Sequence, residues 1–194
     1  MNQPLEHEKA HGAHCSVVAS DFSAWVQSLG LNDPEDGDTA PGTVPAGAWE
    51  FLRETFDARG PLSRAEVLQA WDDLEEALAR RAVDLVLADL HRTTRLRPEI
   101  AIWRHELGAL AIAYNGNYST PAILSLRIPE VVSEAAEYLQ DRVVEDLWSP
   151  WPICTAHGSA LDAAVVDARA VWRCRRDNQV ISAIGELPSN GSVV

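Results

Sequence analysis

Two pairs of residues near the end of the chain have the types and the spacing to hold a metal ion. Cys154 and His157 stand three positions apart, sixteen residues follow, and Cys174 and Asp177 repeat the same interval. Thiolate, imidazole and carboxylate are the donors that zinc accepts, four at a time in a tetrahedron. The stretch between the pairs is expected to supply a hairpin, with strands at 161–166 and 169–174 and a third short strand at 179–184. In the 169–174 strand the alternation puts Trp172 and Cys174 on one face, with Arg169, Val171 and Arg173 on the other. Cys174 is thereby aimed to the same side as a large apolar residue.

This layout resembles a degenerate zinc ribbon, with Cys154, His157 and Cys174 in three ligand places and Asp177 in the fourth. The resemblance covers about a fifth of the chain. It implies a module that docks on a partner or on its own domain, and it implies no activity. A carboxylate is a poorer partner for structural zinc than a thiolate. The same pattern is also met by a small three-stranded sheet without metal, its two cysteines serving as small apolar residues. The cofactor expected is zinc or none.

Other candidates read more plainly. His7, His11 and His14 fall at helical spacing but lie in a polar terminal stretch with Gly12 inside it, so residues 1–13 read as a loose tail. His105-Glu106 reads as an exposed turn. The acidic run at 33–38 lacks the alternating ligands of a calcium loop, and the run at 72–76 lies on a helix as a solvated face. No phosphate-binding glycine loop, nucleophile elbow or dinucleotide fingerprint is present. Trp148 and Trp151, flanked by Pro150 and Pro152, are placed to pin one module against another or to anchor a protein partner.

The elements that must position these groups follow from periodicity. Val18, Phe22, Trp25, Val26 and Leu29 recur as a helix stripe that Gly30 ends. Three prolines, three glycines and several acids make 31–47 a flexible loop. A helix is expected at 48–58. Ser63 and Glu66 form a capping box opening a long helix to about His91, with Leu68, Trp71, Leu74, Leu78 and Leu85 as its buried stripe and deeper burial from Val83 to Leu90. Strands at 100–103, 110–114 and 122–128 make an antiparallel meander, and Pro129 opens a helix with Val132, Ala136, Leu139, Val143 and Leu147 inward. The fold class expected is α+β, with N-terminal helices, a three-stranded antiparallel meander with packed helices, and a small C-terminal ribbon-like β module.

Composition bounds the function. The net charge is −13, and 46% of residues are hydrophobic. Residues 151–194 hold four arginines and four acids, so all the excess negative charge lies in 1–150. That asymmetry suggests an acidic domain over 1–150 and a neutral module over 151–194. A surface this acidic repels polyphosphate and anionic lipid, which excludes general nucleic-acid and membrane-surface binding. No apolar run approaches the roughly 20 residues of a membrane span, and the cytoplasm is the expected location. Arginine replaces lysine almost throughout, in the manner of a high-GC bacterium. The function expected is a non-catalytic interaction or accessory protein with a protein partner. The alternative is a small metal-dependent enzyme with its site around Cys154, His157 and Cys174.

Overall fold

The computed structural model describes residues 21–31, 47–104, 110–118 and 125–189. The histidine-bearing tail, the 32–46 loop and His105-Glu106 lie outside the described residues. The chain divides into two compact units, Met1–Ala70 and Trp71–Val194.

In the first unit, helical residues 21–28 (α1) and helix α2 (Ala48–Arg59) bury Phe22, Trp25, Val26, Leu29 and Leu52 in one cluster with Val67. Phe56 meets Phe22 edge-on, ring centres 5.5 Å apart, and the Trp25 indole donates to the Leu62 carbonyl at 2.8 Å. Helix α3 (Arg64–Thr93) begins with the expected capping box. The Ser63 amide donates to the Glu66 carboxylate at 2.8 Å and the Glu66 amide donates back to the Ser63 hydroxyl at 3.4 Å. The Ser63 hydroxyl, which also donates to the Glu66 carboxylate at 2.7 Å, and then the Ser63 amide hold that carboxyl below its usual range.

The second unit contains the rest of α3, strands β1 (Ile100–Arg104), β2 (Leu110–Tyr114) and β3 (Asn117–Tyr118), helix α4 (Ile128–Leu147), and strands β4 (Leu161–Val166), β5 (Arg169–Cys174) and β6 (Val180–Ala183). The strands form two antiparallel sheets, in the orders β1-β2-β3 and β4-β5-β6. This is the expected α+β architecture. Central strand β2 is buried along its whole length, with Leu110, Ile112 and Tyr114 in the core cluster. In the second sheet Leu161 pairs with Cys174 and Ala163 with Trp172, and α4 lies against β4 and β5.

Three expectations need correction. The third strand of the first sheet is Asn117–Tyr118, not 122–128; Ile128 already belongs to α4, and 122–124 lie outside the described residues. Asn115 and Gly116 both take positive φ, 47° and 78°, which makes a two-residue hairpin turn and returns the chain at once, pairing Tyr114 with Asn117. The expected stripe of α3 is displaced as well. Leu68 is 55% exposed, and Trp71, Leu74, Leu78 and Leu85 are half-buried. The buried face is Ala79, Ala82, Val83, Val86, Asp89 and Leu90, one position round the helix. Val67 serves the first unit's core and residues 79–90 the second's, so no single stripe runs the length of the helix. The deeper burial of the second half is present as expected.

The chain also does not part near Pro150. Trp151, Cys154, Leu161, Trp172 and Cys174 share one core cluster with Val86, Leu90, Leu139 and Val143. The ribbon-like segment is a layer of the second unit.

Leu139 is 1% exposed. Leu139→Ala is expected to lower unfolding free energy by about 2–5 kcal/mol, and Leu68→Ala by less than about 0.5 kcal/mol. Denaturant titration of both variants checks the assignment of faces.

Candidate metal centre

Two turns in the C-terminal sheet have the same backbone plan. In the first, the Gly158 amide donates to the Cys154 carbonyl at 2.7 Å and the Cys154 amide to the Ser159 carbonyl at 2.8 Å. In the second, the Asn178 amide donates to the Cys174 carbonyl and the Cys174 amide to the Gln179 carbonyl, both at 2.9 Å. Each turn closes with a left-handed residue, Gly158 at φ 64° and Asn178 at φ 57°. Glycine and asparagine are the residues that enter that region most readily. Each turn therefore presents the side chains of its cysteine and of the residue three positions on.

Three of the four candidate ligands converge. Cys154, His157 and Cys174 bring their donor atoms within 4.8 Å of one another. The His157 Nδ1 lies 3.5 Å from the Cys154 Sγ and 3.2 Å from the Cys174 Sγ. A tetrahedral ion with sulfur at about 2.3 Å and nitrogen at about 2.0–2.1 Å requires sulfur–nitrogen edges of about 3.5 Å. The residues fit the group. Both sulfurs are buried and the imidazole is exposed.

Asp177 stands beside this cluster. Its Oδ1 accepts the Gln179 amide at 3.1 Å. The amide bond first, then the Cys174 thiol, hold the carboxyl below the usual aspartate range. Burial pushes the Cys174 thiol up.

What holds this sheet in place is a carboxylate that periodicity did not single out. Asp89, fully buried on α3, accepts the Trp172 indole N–H at 2.7 Å, the Gly185 amide at 2.6 Å and the Leu187 amide at 2.8 Å. Arg92 stands 3.4 Å from its other face and also donates to the Gly185 carbonyl. On α4, the Gln140 amide nitrogen donates to the carbonyls of Trp151 at 2.8 Å and Leu161 at 2.6 Å. The sequence signal for Asp89 is an acid inside the apolar run Val86-Leu87-Ala88-Asp89-Leu90. At Gly185, φ is 95° and a Cβ would stand 2.7 Å from the Leu85 side chain, so only glycine lets this turn reach the helix.

The two linker tryptophans part company. Trp151 is 3% exposed, meets Trp172 edge-on at 5.6 Å and donates its indole N–H to the Thr93 hydroxyl at 2.9 Å. It pins the sheet to α3. Trp148, in the left-handed position that ends α4, is 94% exposed.

No helix among the described residues is long and apolar enough to cross a membrane. Comparison with protein-family models, curated proteins and solved structures finds no match to this chain.

Asp89→Asn exchanges one acceptor oxygen for a donor among three N–H groups, and is expected to destabilise by on the order of 3 kcal/mol. Burial raises the Asp89 carboxyl above its usual range, against the pull of its donors. The folded state then binds that proton more tightly than the unfolded state. The Asp89 contribution is fullest below about pH 3.9 and declines as pH rises through the folded pKa. Carboxyl NMR titration, with unfolding of the wild type and the Asn variant across that window, measures both effects.

Proposed function

We propose that the C-terminal sheet carries a structural zinc ion and that the chain is a non-catalytic interaction or accessory protein. The observation that carries the metal assignment is the repeated turn, which sets two thiols and an imidazole at tetrahedral spacing. Cys154, His157 and Cys174 hold the ion, and Asp177 is the fourth donor by its equivalent place in the second turn. Bound zinc cross-links the two turns, and its binding energy adds to folding energy. A structural role is favoured over a catalytic one because both sulfurs are buried.

Protein purified under reducing conditions without chelator is expected to carry about one equivalent of zinc, bound too tightly for dialysis to remove. Cys174→Ser and His157→Ala are expected to lose it. A strong chelator is expected to lower the thermal midpoint of the wild type and leave that of Cys174→Ser unchanged. Metal-free wild type that takes up no added zinc overturns the assignment.

A further inference from the structure

Two thiols in one site have a chemistry of their own besides holding an ion. Cys154 and Cys174 are both free and both buried, and their sulfurs lie within 4.8 Å of each other. They are the only cysteines among the described residues. The His157 Nδ1 stands against both, at 3.5 Å and 3.2 Å. That imidazole is exposed while the sulfurs are buried, so the pair meets solvent on the histidine side. A disulfide joins sulfurs about 2.05 Å apart, which leaves side-chain rotation at most about 2.8 Å to close. Each turn is closed by its own amides and carbonyls, so the sulfurs can change state without unmaking the backbone that carries them.

We infer that the metal centre is a redox switch, in which peroxide joins Cys154 to Cys174 as a disulfide and so releases the zinc. The inference rests on the metal reading and adds its regulation. One thiolate attacks the peroxide; the O–O bond breaks, hydroxide leaves, and that sulfur becomes a sulfenic acid. The second thiolate attacks the oxidised sulfur; the S–O bond breaks, the S–S bond forms, and a second hydroxide leaves. Two thiolates, one peroxide and two protons thus give one disulfide and two waters, the sulfurs losing the two electrons that the peroxide gains. A neighbouring thiol captures the sulfenic acid before further peroxide carries it to the irreversible sulfinic stage. Zinc takes thiolate sulfur as its ligand, and a disulfide offers none. An imidazole and a carboxylate then remain, half of a tetrahedral set. A dithiol reductant reverses the exchange and restores both ligands.

The test uses the full chain loaded with zinc and titrated with hydrogen peroxide. Zinc release is read with a chromogenic indicator, and thiol pairing by mass spectrometry of proteolytic peptides kept from reduction. About one equivalent of zinc is expected to leave as about one equivalent of peroxide is consumed, with a peptide pair joined through Cys154 and Cys174. Dithiothreitol followed by added zinc is expected to restore the bound ion. Cys15 is the third cysteine of the chain, and Cys15→Ser is expected to behave as wild type does. Zinc retained with both thiols reduced, zinc lost with Cys154 or Cys174 left as a sulfinate, or a disulfide made through Cys15 would each overturn the switch and leave the metal centre standing. Reduced protein that takes up no zinc contradicts the metal reading and the switch together.

Discussion

A buried carboxylate on the long helix is the constraint on which the C-terminal half of the molecule depends. Asp89 has no access to water, and a charge or a hydroxyl in that position must be satisfied from within the protein. Its partners are the Trp172 indole and the amides of Gly185 and Leu187. They come from β5 and from the turn after β6, about a hundred residues further along the chain. Misplacing the sheet would leave a carboxylate and three N–H groups buried without partners. The position of the sheet against α3 is thereby set more sharply than apolar packing alone would set it.

The candidate metal centre inherits that precision. Trp172 and Cys174 lie on one face of β5, so fixing the indole on Asp89 also fixes the direction of the Cys174 sulfur. Gln140 does the same for the other turn by holding the carbonyls of Trp151 and Leu161 on either side of Cys154. Trp151, packed on Trp172, closes the space between the two. The side chains that bring the ligands together are thus a carboxylate on α3, an amide on α4, one indole on β5 and one in the linker before β4. With the framework set this way, a bound ion would rigidify two turns already near their final geometry.

Local signals in the sequence were read well where the physics is local. The capping box at Ser63-Glu66, the proline at the start of α4, the Asn115-Gly116 turn and the repeated ligand spacing all depend on residues within a few positions of one another. What the sequence left unreadable is set by distant contacts. The buried face of α3 is centred on Ala79 and Ala82 because small residues let neighbours approach, whereas periodicity read from the largest side chains favours Leu68, Trp71 and Leu78. The charge step at residue 150 suggested a boundary, but charge describes the surface, and the core on either side of that step is shared. Asp89 was hidden for the same reason: an acid in a helix is by default a solvated residue, and only its partners make it otherwise. Of the candidate ligands, residue type and spacing singled out the three that converge. It did not reveal that Asp177 is already engaged by the Gln179 amide.

The central claim is that Cys154, His157 and Cys174 form one first coordination sphere. X-ray absorption at the zinc edge, on protein loaded with one equivalent and washed free of excess, tests it most directly. The account expects two sulfur scatterers at about 2.3 Å and the remaining nitrogen or oxygen scatterers at about 2.0–2.1 Å, with a histidine outer-shell signal. A shell of nitrogen and oxygen alone, with no sulfur, would contradict it.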